Sequence, residues 1–167
     1  MIDVPDRVCA IIWRENALEL LDQRLLPGVA RYLRLNTVTE AAQAIREMVV
    51  RGAPAIGVTA AYSVVLAARA RYAENPQSWQ TLIGADLALL VESRPTAVNL
   101  CWAVRRMAQV IAGLAGDPEQ RLLMEARAIH SEDIAANQRM GQLGAALLGQ
   151  RGAVLTHCNA GALATGG

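Results

Sequence analysis

The stretch from Thr37 to Tyr72, TVTEAAQAIREMVVRGAPAIGVTAAYSVVLAARARY, decides the fold. Thr37 and Glu40 have the spacing of a capping box, in which a hydroxyl and a carboxylate each satisfy a free N–H at a helix start. Ala41, Ala44, Ile45, Met48 and Val49 then recur at the spacing of one apolar helical face. Arg51-Gly52-Ala53-Pro54 breaks the pattern, and from Ala55 to about Tyr72 the chain is apolar nearly all round. A helix of that kind is buried on every side, so the centre of a helical core is expected here.

Working towards the amino terminus, VCAIIW and ALELLDQ flank the polar set RENA and predict two strands of a hairpin. Pro27-Gly28 marks a further turn, and ARYLRLN predicts a third strand. Towards the carboxy terminus, ENPQS is a loop and Ser78 a candidate cap for a helix reaching Val91. Ser93-Arg94-Pro95-Thr96 interrupts before a helix from about Ala97 to Leu114. Asp117 at the cap and Pro118 in the first turn open the longest helix, which runs to about Leu148. After Gly149 to Gly152, GAVLT reads as a lone strand. The class is therefore α+β: a small antiparallel β element and a helical bundle, then the opening strand of something α/β. A parallel strand needs neighbours, so the chain is expected to be incomplete.

With 167 residues, 53% of them hydrophobic and 19% charged, the chain can bury an ordinary core. The net charge of +1 gives no electrostatic case for nucleic acid as a main partner. All 16 basic residues are Arg, so an anion must be held by guanidinium, backbone N–H or hydroxyl groups. Cys9, Cys101 and Cys158 are odd in number and widely spaced, which suits neither a disulfide framework nor a zinc site. The first residues lack a signal-peptide pattern, and the apolar run from Ile56 to Ala70 is too short to span a bilayer. A reducing cytoplasm and no membrane are expected.

Three segments could carry chemistry. In RGAPAIG, Arg51 to Gly57, a Gly-containing turn precedes a buried helix, and free N–H groups, the helix dipole and a guanidinium together suit a phosphate. A tight connection with a solvent-facing Arg accounts for the same residues. SRPTAVN, Ser93 to Asn99, repeats the arrangement, with Thr96 or Ser93 as cap and Arg94 pointing beyond the helix start. THCNAG, Thr156 to Gly161, places Cys158 at the end of a strand, where backbone N–H groups can acidify a thiol. A buried, space-filling Cys is the plainer reading there, and the one expected for Cys9 and Cys101. His130, Glu132 and Asp133 read as a solvated helix face rather than a metal site. Neither a GxGxxG fingerprint nor a P-loop is present, so nucleotide binding has no motif behind it.

NTVTEAAQAIREMVVRGAPAIG, SRPTAVNLCWAVRRM, NQRMGQLGA and LTHCNAGALATGG stand in the order in which they occur in the methylthioribose-1-phosphate isomerase family, and nearly all of the chain resembles its amino-terminal part. Relatives in that family include regulatory subunits of a translation-initiation exchange factor and ribose-bisphosphate isomerases. The pairing of RGAPAIG with THCNAGALAT favours an isomerase. The resemblance implies that Arg51, Gly52, Ala53 and Arg94 bind substrate and that Cys158 is the catalytic cysteine. It further implies a sugar-phosphate substrate, no cofactor, no metal and a homodimer. Three regions follow: a β/helical domain over 1–117, a connecting helix over 118–150, and the start of a truncated Rossmann-like catalytic domain over 151–167. The family's catalytic aspartate and an Asn-Lys pair match no residue here. A carboxy-terminal half, in the same chain or a second one, is expected to supply them, and the 167-residue chain alone is expected to be inactive.

Overall fold

The computed structural model describes residues 8–148, 153–157 and 160–167. Strands β1 (Ile11–Arg14), β2 (Ala17–Leu21) and β3 (Tyr32–Leu35) form an antiparallel sheet in that order. Arg14 pairs with Ala17, so the hairpin turns on Glu15 and Asn16 alone. Their φ angles of 48° and 59° match the two-residue turn whose twist suits the flanking strands. Cys9 precedes β1 and is exposed, and Cys101 is only half-buried. Neither is the enclosed space-filler the sequence suggests, because strand pairing begins only at Ile11 and Cys101 lies beside the exposed Trp102.

Helix α1 (Val38–Arg46) begins on the expected capping box: Glu40 N–H donates to Thr37 Oγ1 at 3.2 Å and Thr37 N–H to Glu40 Oε2 at 3.0 Å. It stops short of Val49. Met48 turns left-handed at φ 59°, Val49 N–H reaches the Ala44 carbonyl at 2.9 Å and Met48 N–H the Ile45 carbonyl at 3.2 Å. This pair of bonds satisfies the last carbonyls of a helix and usually recruits Gly.

Helix α2 (Ala53–Glu74) is the centre of the molecule, buried without a break from Ala55 to Ala68. Its polar members are satisfied along the helix, Thr59 Oγ1 donating to the Ala55 carbonyl at 2.8 Å and Ser63 Oγ to the Thr59 carbonyl at 2.7 Å. At 22 residues it is longer than the apolar run the sequence displays and could by length alone cross a bilayer, but the protein's own elements enclose most of it. The segment expected as one helix from Ser78 is divided at Ile83 into α3 (Trp79–Leu82) and α4 (Gly84–Ser93). Ser78 supports the first turn through its carbonyl, which accepts from Thr81 and Leu82, while its hydroxyl caps nothing. Buried Asp86 on α4 receives a fork from Arg71 of α2 at 2.7 and 3.0 Å, tying the two helices.

Helices α5 (Val98–Ala112) and α6 (Glu119–Leu148) complete the bundle. Asp117 Oδ1 accepts from Glu119 N–H at 2.9 Å, as the sequence predicts for the start of α6. Leu122, Ala126 and Ile129 bury one stripe of α6, and none of its later residues is buried. At 1.5 Å per residue the helix is about 45 Å long, so its distal half stands clear of the bundle. Ala153–His157 is exposed and forms no strand. The expected opening strand of a Rossmann-like domain is thus not formed among the described residues, since a ladder needs a partner segment and none lies alongside.

Candidate functional site

Gly52 caps α2 with φ 94° and ψ 134°, a conformation that L side chains rarely adopt. Pro54 follows in the first turn, where its missing N–H removes nothing the helix uses. Ala164 seals this turn from the far end of the chain. Its carbonyl accepts from Ala55 N–H at 3.1 Å, and a Cβ on Gly52 would lie 2.5 Å from Ala164 Cα. Ile56 N–H is also engaged, by the Gly52 carbonyl at 3.0 Å. The free donors expected at this helix start therefore reduce, among the described residues, to the N–H groups of Gly52 and Ala53. Arg51 is exposed beside them, as is Ala53.

The second Arg-bearing turn differs from its sequence reading in its caps. Ser93 is buried and donates to the Leu90 carbonyl at 2.6 Å, closing α4 rather than opening α5. Ala97 occupies the α5 cap with no side-chain bond, so Thr96 does not serve either. A backbone turn replaces them: Ala97 N–H donates to the Arg94 carbonyl at 3.0 Å. Arg94 itself is half-buried, and no ion pair forms at Arg51 or Arg94 among the described residues.

The starts of α2 and α5 meet. A Cβ on Gly57 would lie 3.0 Å from the Asn99 carbonyl, so Gly lets these two backbones approach. Pro54, Gly57, Val98, Asn99 and Trp102 line a cavity of about 360 Å³ that α6 closes with Ile129, Glu132 and Asp133. Both carboxylates are engaged elsewhere. Glu132 is paired with Arg106 at 2.8 Å, which holds it below the usual carboxylate range, and Arg106 also reaches Glu125 at 2.7 Å. The same guanidinium lies 5.6 Å over the Trp102 ring. Asp133 Oδ2 accepts from Gly166 N–H at 2.7 Å.

Of the solvated face expected at His130, Glu132 and Asp133, Glu132 is exposed, while His130 and Asp133 are half-buried and fastened. His130 Nε2 lies 2.6 Å from the Gly166 carbonyl and Nδ1 lies 3.1 Å from Tyr62 Oη. Burial pushes the Tyr62 phenol up to about 12, and the ring stacks on Trp13 at 5.5 Å. The sequence gives no sign of this because the partners, Tyr62, Arg106 and the backbone of Gly166, are distant along the chain. Gln23 is likewise missed: it is 3% exposed, receives no sequence role beyond the end of a strand, and donates from Nε2 to the Leu163 carbonyl at 2.7 Å. Its backbone N–H reaches the Val49 carbonyl at 3.0 Å, while its Oε1 is buried and has no partner among the described residues. Cys158, the expected catalytic thiol, lies outside the described residues. Among the described residues no three His, Cys, Asp or Glu side chains group in a way that could hold a metal ion.

A three-stranded sheet on a bundle built round one enclosed helix, with two Arg-bearing turns entering helices that share a cavity, is an architecture found in solved proteins. The structure resembles a 5-methylthioribose 1-phosphate isomerase from Pyrococcus horikoshii OT3, with a TM-score of 0.87 and 36% identity over 96% of this chain and 46% of that one. It resembles the translation initiation factor eIF-2B, subunit delta, from A. fulgidus almost as well, with a TM-score of 0.85 and 36% identity over 95% and 47%. The sequence pattern of the initiation factor 2 subunit family matches residues 49–166, and the chain belongs to that family. Within it, the methylthioribose-1-phosphate isomerase of Methylococcus capsulatus is 56% identical over 160 residues, 96% of this chain and 46% of that protein. The chain spans about half the length of the relatives it matches.

Proposed function

We propose that this chain forms the amino-terminal half of an aldose–ketose isomerase that converts 5-methylthioribose 1-phosphate to 5-methylthioribulose 1-phosphate in methionine salvage. The observation that carries the reading is the 56% identity to an isomerase across nearly the whole chain. Arg51, Gly52, Ala53 and Arg94 bind the substrate in this reading, the guanidinium groups and the Gly52 and Ala53 N–H groups facing its phosphate. Cys158 supplies the catalytic thiol. A Rossmann-like carboxy-terminal half completes the site and contributes the acid–base group, and the enzyme works as a cytoplasmic homodimer.

The reaction retains every atom and electron, C2 being oxidised as C1 is reduced, so it consumes no external oxidant or reductant. The ring C1–O bond breaks, the ring oxygen gains a proton, the hydrogen on C2 moves to C1, and the C2 hydroxyl becomes a carbonyl. Because the anomeric oxygen carries phosphate, a free hemiacetal cannot open the ring. An acid–base group must therefore sit within hydrogen-bond reach, in a site closed to water.

The test supplies the carboxy-terminal half of the Methylococcus capsulatus relative as a second polypeptide and follows 5-methylthioribose 1-phosphate by phosphorus NMR. The expected outcome is no turnover by the 167-residue chain alone and turnover by the pair. Arg94→Ala should then raise KM tenfold or more, at about 1.4 kcal/mol per decade, and Cys158→Ala should lower kcat. Turnover of ribose 1,5-bisphosphate instead would reassign the substrate. A pair that binds sugar phosphate without turnover favours the regulatory reading that the likeness to the initiation-factor subunit supports.

A further inference from the structure

We propose that His130 is a positioning residue of this site: it fastens Gly161–Gly167 against the first turn of α2 and so sets the geometry of the Arg51-Gly52-Ala53 turn. The inference rests on the functional reading above only for what that geometry serves. The segment is held to the rest of the chain by Gln23 at the Leu163 carbonyl, Ala55 N–H at the Ala164 carbonyl, and His130 and Asp133 at the two sides of Gly166. His130 and Asp133 stand three residues apart on α6 and therefore share a face. One takes the carbonyl of Gly166 and the other its N–H.

The chemistry fixes which nitrogen does what. A carbonyl oxygen only accepts, so His130 Nε2 carries the proton at the 2.6 Å contact. Nδ1, on the other side of the ring, is in hydrogen-bond contact with the Tyr62 hydroxyl at 3.1 Å. Tyr62 is buried and stacked on Trp13, so the ring of His130 is oriented from inside the core. Gly166 fits this grip because it has no side chain: a Cβ there would lie 2.6 Å from His130 Cδ2 and 3.2 Å from Asp133 Oδ2. Two residues earlier, Ala164 is in contact with Gly52 and Ala55. Loosening Gly166 therefore loosens the contact that shapes the Arg51–Ala53 turn.

The experiment compares wild type with His130→Ala and His130→Gln, whose carboxamide can still donate to the Gly166 carbonyl. Amide hydrogen exchange in the 167-residue chain is read at Gly166, at Ala55 and, as an internal standard, at Val64 and Val65 in the middle of α2. Expected is exchange about tenfold faster or more at Gly166 and Ala55 in His130→Ala, an unchanged standard, and near wild-type rates in His130→Gln. Unchanged exchange at Ala55 in His130→Ala overturns the proposal, as does His130→Gln behaving like His130→Ala. Where His130→Ala does not fold, Tyr62→Phe replaces it, since it releases the ring orientation while leaving the imidazole in place. In the two-polypeptide enzyme, kcat should fall in His130→Ala with KM changed less, and His130→Gln should restore it; an unchanged kcat also overturns the proposal. If wild type shows no turnover, the isomerase reading fails while the exchange data still decide the role of His130.

Discussion

At Gly52 the backbone adopts φ 94°, and a Cβ would lie 2.5 Å from both Cα and O of Ala164. Strain and collision act together, and the obstacle is backbone rather than a flexible side-chain tip. Gly52→Ala is expected to cost at least about 2 kcal/mol, read as a lower urea midpoint at unchanged slope. A variant as stable as wild type would mean that the Ala164 contact is not maintained in solution. The sequence marks Gly52 as a turn residue that lets the backbone approach an anion closely. It does not say that a distant stretch of the same chain makes the approach, because nothing local links residue 52 to residue 164. The same gap explains His130 and Gln23, each of whose side chains reaches a carbonyl distant along the chain that carries no side-chain signature.

Elements fare better where both halves of a signal lie within a few residues. The Thr37–Glu40 box, the break at Gly52 and Pro54, and the Asp117 cap all appear as read, because each is a contact between near neighbours. Removing the Thr37 hydroxyl with Thr37→Ala should cost about 1 kcal/mol, and thermal unfolding would detect it as a Tm lower by several degrees. No change in Tm would leave α1 held by packing alone. Legibility ends where backbone geometry substitutes for a side chain. Met48 ends α1 in a conformation that usually selects Gly, and Ser93 turns back into α4 although its position before Pro95 suits a cap for α5. The strand expected at GAVLT is not formed among the described residues for a different reason, since β-branched composition describes a preference that only a neighbouring strand can satisfy.

For the whole molecule, α6 divides burial unevenly. Its first half lies on α2 and α5, while Met140, Leu143 and Leu147 form an exposed apolar stripe along its second half, Leu147 being 88% exposed, and Leu155 beyond is 97% exposed. Such a surface drives association. The 167-residue chain should self-associate with rising concentration in sedimentation velocity, and Leu143→Glu with Leu147→Glu should suppress this without lowering Tm. Association that persists in the double variant would place the contact elsewhere.

The carbonyl of Ala164 has one more consequence. It accepts from Ala55 N–H in the first turn of α2, at the end where the aligned peptide dipoles concentrate positive potential. An anion approaching that turn finds this donor already taken by a neutral oxygen from a distant stretch of the same chain. It is left the N–H groups of Gly52 and Ala53, so the choice of donors is narrowed before any ligand arrives.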